Sequence, residues 1–119
     1  MPSEPADIPQ VPDPEVLQRA IEESAALLVY FTGPDCAVCE ALRPKVAALI
    51  AGRFPRLGLL AVDCARWPAL AARHRVFQVP TVLAFFEGRE WLRRSRGLAL
   101  AELETALARP YDLLFNGAS

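Results

Sequence analysis

The chain has 119 residues, of which 53% are hydrophobic, enough for one domain with a substantial core. A formal net charge of -1 gives no electrostatic case for nucleic acid or an anionic membrane. No apolar run is long enough to span a bilayer, and residues 1–20 lack the basic and apolar regions of a signal peptide, so a cytoplasmic location is expected. Three cysteines, an odd number, do not suit a secreted disulfide framework. In a reducing compartment, a Cys-x-x-Cys pair is a redox or metal motif before it is a structural one.

Residues 1–12 carry Pro2, Pro5, Pro9 and Pro12 with few apolar residues and no period. They read as a flexible arm, with docking on the domain as the lesser option. Asp13-Pro14-Glu15 has the composition of a helix start, and Val16, Leu17, Ala20 and Ile21 form an apolar stripe that ends near Ser24. Leu27-Leu28-Val29-Tyr30-Phe31-Thr32 reads as a buried strand stopped by Gly33-Pro34.

Asp35 stands where a helix N-cap belongs, ahead of a helical pattern running from Cys36 through Leu42, Val46 and Leu49. Cys36 and Cys39 then share one face of the first turn. Unpaired N–H groups and the helix dipole favour a thiolate at Cys36, whereas Cys39 lies a turn deeper. An exposed attacking thiol beside a sheltered one suits disulfide exchange. Pro44 removes a backbone bond within this helix and predicts a kink, and Gly52 is its expected stop.

Residues 57–62 are almost continuously apolar, which predicts a central strand joined to the first by a right-handed crossover. Trp67-Pro68 opens a helix to about Arg75, with Leu70 and Ala71 inward. Residues 82–86 form a strand, Glu87-Gly88-Arg89-Glu90 a hairpin turn, and residues 91–96 the returning strand. Arg89, Arg93, Arg94 and Arg96 make that hairpin basic, as a solvated edge often is. Gly97 interrupts, and residues 99–108 form a last amphipathic helix closed by Pro110. The domain is therefore expected over 13–109. Residues 110–119 form an apolar tail, and Tyr111, Leu113, Leu114 and Phe115 are expected to fold back or meet another chain.

This order of elements resembles the thioredoxin family over roughly residues 15–108. The residues that carry the resemblance are the strand before Cys36-Ala37-Val38-Cys39, Pro44 in the helix, Asp63 ending the next strand, and Val79-Pro80-Thr81 before the hairpin. It implies an α/β thioredoxin fold, with a mixed sheet of about four strands and helices on both faces. It further implies that Cys36 is the nucleophile, Cys39 resolves the mixed disulfide, and Pro80 is a cis-proline facing the pair. Asp35, Val79, Pro80 and Gly97 would contact an extended substrate segment.

The sequence also departs from the family. Asp35 replaces the usual tryptophan, and Ala37-Val38 replaces Gly-Pro. Tyr30 stands where a buried aspartate is usual, and Leu59 where its lysine partner is. A phenol near ~10 is a poor base at neutral pH, so Tyr30 and Pro44 enter as modulating residues and resolution is expected to be slow. Cys36, Cys39, Cys64 and His74 supply the ligand types of a zinc site, but the implied fold would keep Cys64 and His74 apart. No metal or other cofactor is therefore expected.

The expected function is thiol–disulfide exchange on a protein disulfide, by a monomer served by an unidentified redox partner in cell redox homeostasis. The alternative is a thioredoxin-like binding or chaperone module that uses the Pro80 surface and keeps its cysteines as vestiges or redox sensors.

Overall fold

A computed structural model of the chain describes residues 7–95 and 97–116. In chain order the elements are α1 (Pro14–Glu23), β1 (Ala26–Thr32), α2 (Ala37–Arg53), β2 (Gly58–Asp63), α3 (Pro68–Arg73), β3 (Thr81–Phe86), β4 (Arg89–Ser95) and α4 (Leu100–Phe115). The strands form one sheet in the order β2-β1-β3-β4. β1 and β2 are parallel, and the two other pairs are antiparallel. This is the mixed four-stranded sheet that the resemblance implied.

Alternation along β1 decides the layers. Leu28 and Tyr30 face a core built with α2 and α4, including Val46, Ile50, Leu103 and Leu107. Leu27, Val29 and Phe31 face the opposite core with α1 and α3, including Leu17, Ile21 and Leu70. Both faces of β1 are buried, so its sequence shows no alternation of polarity.

β2 is an edge strand of this sheet, not the central one its apolar run suggested. Helices cover both of its faces, and the N-terminal segment covers its outer edge. Ala61 donates to the Pro9 carbonyl and accepts from Val11 N, both at 2.8 Å, in a short parallel bridge. The flexible arm expected over 1–12 is thereby corrected for its second half. Ile8 and Val11 are each only 1% exposed, which outweighs the lack of periodicity between the prolines. Residues 1–6 of that arm lie outside the described residues, as do Arg96 and residues 117–119 of the tail.

The helix termini hold two more corrections. Asp13 caps α1 as expected, its carboxylate accepting from Val16 N at 3.0 Å. At α2, however, the N-cap is Cys36, and Asp35 is a turn residue with φ of 54°. Aspartate tolerates that left-handed conformation better than most residues, and it carries the chain from the Pro34 turn into the helix.

Pro110 does not close the last helix, since α4 continues through it to Phe115. Leu103, Leu107 and Tyr111 extend one inward stripe, and their packing outweighs the backbone bond that proline lacks. Tyr111 lies edge-on to Phe54 at 5.1 Å, and its hydroxyl accepts from Arg56 N at 3.0 Å. Phe115 packs on Tyr111 at 4.7 Å, beneath the Arg56 guanidinium. Most of the expected apolar tail is thus the last turns of a core helix.

The hairpin turn is shorter than expected. Glu87 and Gly88 both have positive φ, 54° and 81°, and Phe86 pairs directly with Arg89. A two-residue turn of that hand matches the twist of the flanking strands.

Candidate active site

Phe31 near the end of β1 pairs with Thr81 at the start of β3, and Thr81 pairs with Ser95 at the end of β4. Three loops therefore meet at one end of the sheet: 33–36 after β1, 78–80 before β3, and the stretch at Gly97 after β4. Asp35, Cys36, Val79, Pro80 and Gly97 all belong to that end. Gly33 lies against Val79, where a Cβ at residue 33 would sit 3.6 Å from the valine Cγ2.

Cys36 and Cys39 form a disulfide with Cα atoms 5.2 Å apart. The two sulfurs differ in setting. Cys36 is partly exposed at the N-cap, and its Sγ accepts from Cys39 N at 3.2 Å. Cys39 is 0% exposed, held between α2 and the sheet. In the loop before β3, the Val79–Pro80 peptide is cis, Pro80 is buried and Val79 half-buried. The Thr81 hydroxyl donates to the Gln78 carbonyl at 2.7 Å and ties down this loop. Gly97 is exposed with φ of 66°, a conformation that favours glycine.

Tyr30 is fully buried beneath the pair, and its hydroxyl donates to the Cys39 main-chain carbonyl at 2.7 Å. Burial pushes its phenol up to about 12, so it is neutral at physiological pH. The Arg43 guanidinium opposes that shift. Leu59 faces the same core two ladder pairs away, since Leu28 pairs with Leu59 and Tyr30 with Ala61. Pro44 is exposed within α2, which continues through it.

Cys64 follows β2 and donates its backbone N–H to the Thr32 carbonyl at 2.8 Å. Burial, then the Asp63 charge, pushes its thiol up to about 11. Asp63 caps the following turn, its Oδ1 accepting from Ala65 N at 2.9 Å and Arg66 N at 3.3 Å. The His74 ring sits 6.0 Å from both Phe31 and Phe85. Among the described residues, no three His, Cys, Asp or Glu side chains gather as a metal site.

The sequence did not single out two features of this site. Phe77 is 82% exposed on the lip of a cleft of about 440 Å³, lined also by Gly33, Pro34, Cys64, Ala71 and Val79. Arg43 holds the N-terminal segment against α2, donating to Asp7 Oδ1 at 2.6 Å and to the Ile8 carbonyl at 2.5 Å. Its place one turn after Cys39 was legible, but its partners, more than thirty residues away, were not.

The family model described as Thioredoxin matches residues 10–109. The chain belongs to the thioredoxin family. It is 31% identical to the thioredoxin-like protein YdfQ of Bacillus subtilis, across 82% of this chain and 86% of that protein. It is 34% identical to protein disulfide-isomerase A2 of Pongo abelii, over 77% of this chain but only 21% of the isomerase. Among solved structures, thioredoxin NaTrxh of Nicotiana alata superposes with a TM-score of 0.79 at 22% identity, covering 92% of this chain and 96% of that one. A point mutant of a thioredoxin from Halobacterium salinarum gives 0.71 at 23% identity, covering 100% and 97%. At those identities the structures bear on the fold alone, and the thioredoxin fold is the one they share.

Proposed function

We propose that this thioredoxin-family protein is a thiol–disulfide oxidoreductase in which Cys36 attacks a protein disulfide and Cys39 resolves the product. The observation that carries this reading is the asymmetry of the pair, with Cys36 partly exposed at a helix N-cap and Cys39 fully buried. A thiolate at Cys36 is favoured by the helix terminus and by the Cys39 N–H directed at its sulfur. Attack joins Cys36 Sγ to one substrate sulfur and releases the other as a thiolate. Cys39 then attacks Cys36 Sγ, closes the ring seen here and releases the second substrate thiolate. Two electrons pass from the dithiol to the substrate, with no cofactor.

Val79 precedes the first β3–β4 pair, so its backbone is placed to add a short extended substrate segment beside Pro80. The cleft beneath Phe77 offers apolar contact to a side chain of that segment, and Asp35 favours a basic neighbour on the other side. We place the protein in the cytoplasm as a monomer. No described helix is long and apolar enough to cross a membrane.

Reduction of insulin disulfides by the wild type tests the reading, with Cys36→Ser as the inactive control. The alternative, a client-binding module, draws on exposed Val38 and Phe77 around the site. It predicts client affinity that survives Cys36→Ser without any turnover in the wild type.

A further inference from the structure

Among the described residues no carboxylate is buried beside Cys39 to take its proton, and neutral Tyr30 stands beneath it instead. Cys39 must nevertheless become a thiolate for the ring to close. A cation close enough to stabilise that thiolate, and shielded enough to act, would lower its pKa without accepting the proton, which can leave to water.

Arg43 is the cation placed for this by helix spacing and burial. It lies four residues after Cys39 on α2, so the two side chains share a face of the helix, and long side chains there lean back toward the preceding turn. Its side chain is only 20% exposed, so its field is less screened than that of a surface arginine. The Asp7 carboxylate and the Ile8 carbonyl fix the guanidinium, and Ile8 packs into the same core as Tyr30. The guanidinium's field reaches the phenol whose hydroxyl touches the Cys39 carbonyl.

We propose that Arg43 is a positioning residue for this chemistry, a fixed cation that favours the Cys39 thiolate when the mixed disulfide is resolved. The inference rests on the exchange reading above. Toward this end of the surrounding elements the other titratable groups are Asp35 ahead of α2, Glu40 on α2, Tyr30 on β1, Asp7 on the N-terminal segment, and Asp63 with Cys64 at the end of β2. All can carry only negative charge, so among these groups Arg43 alone can favour a thiolate. Lys45 of α2 is exposed to solvent, which screens it. Glu104 of α4 is bound to Arg53 near the other end of α2.

In the step concerned, Cys39 loses its proton to solvent and its sulfur bonds to Cys36 Sγ. The Cys36–substrate bond breaks, and the substrate leaves with the electron pair as a thiolate that water protonates.

Two variants separate this role from that of a simple clamp. Arg43→Gln and Asp7→Asn both break the ion pair, but only the first removes the cation. Cys39 is titrated in the reduced full chain through the NMR shift of its labelled Cβ, and resolution is timed by quenched flow. For Arg43→Gln, Coulomb's law gives a titration about one pH unit higher and resolution about tenfold slower at neutral pH. Attack by Cys36 should change far less. Arg43→Lys should recover most of the rate, and Asp7→Asn should resolve at least as fast as the wild type.

Equal slowing in Arg43→Gln and Asp7→Asn, or an unmoved Cys39 titration in Arg43→Gln, overturns the proposal and leaves Arg43 a clamp. Because the titration does not need turnover, it decides between cation and clamp even if the wild type fails to reduce any substrate. That failure would instead remove the exchange reading.

Discussion

The Tyr30 hydroxyl and the Cys39 carbonyl are 2.7 Å apart, so the phenol donates to, and holds, the backbone at Cys39. Neutral at physiological pH and keeping its own proton in that bond, the phenol is no general base for the neighbouring thiol. Tyr30→Phe should therefore leave the rate of Cys36 attack almost unchanged and cost about 1 kcal/mol of stability. Urea unfolding monitored by circular dichroism measures the cost. A large loss of exchange activity with intact stability would assign Tyr30 a chemical role that this geometry denies it.

The same phenol sets an alkaline limit. Its folded value, raised to about 12, stands above the unfolded value near ~10. Below ~10 neither state ionises and the group has no effect. Above it the unfolded chain ionises first, so stability should fall as pH rises toward about 12. Tyr30→Phe should flatten that part of the stability–pH curve.

His74 sets the acid limit. Burial and the nearby Arg73 charge push its imidazole below the usual value, and its Nε2 has no hydrogen-bond partner. The unfolded chain protonates first as pH falls below ~6.5, so stability is full above that point and drops below it. His74→Phe should remove the slope while keeping the ring between Phe31 and Phe85. Urea midpoints measured from about pH 7.5 down to about pH 5 test this, and equal slopes in both proteins would contradict it.

Cys64 should behave as an inert thiol. With its pKa pushed up to about 11, it should react slowly with iodoacetamide near neutral pH in the folded, oxidised protein. Unfolding should speed that reaction. Fast labelling of native Cys64 would show that its thiol is neither sheltered nor raised.

The N-terminal segment should matter to stability. Ile8→Ala empties a site that is 1% exposed, at a cost of about 2–4 kcal/mol. An unchanged unfolding midpoint would mean that the segment does not pack in solution.

These predictions draw on features that the sequence showed unequally. The order of strands and helices was legible because β1 and β3 are short continuous apolar runs, the helices carry apolar stripes, and Gly33, Pro34 and Gly88 punctuate them. The cysteine pair was legible by type and spacing, and Val79-Pro80 through the resemblance to the thioredoxin family. The edge position of β2 was not, because an edge covered on both faces and along its side is as apolar as a central strand. The helical course past Pro110 was hidden because the local cost of proline reads as a stop, while the compensating contacts with Phe54 and Arg56 are distant in sequence. The Arg43–Asp7–Ile8 contact was invisible for the same reason, since a single bridge between β2 and a proline-rich stretch leaves no periodic trace.

The central claim is that Cys36 attacks and Cys39 resolves. The direct measurement is trapping the mixed disulfide with a protein disulfide substrate and mapping the linkage by peptide mass spectrometry. Cys39→Ser should accumulate substrate bonded to Cys36, and Cys36→Ser should accumulate none. A linkage mapped to Cys64, or continued disulfide reduction by Cys36→Ser, would contradict the account.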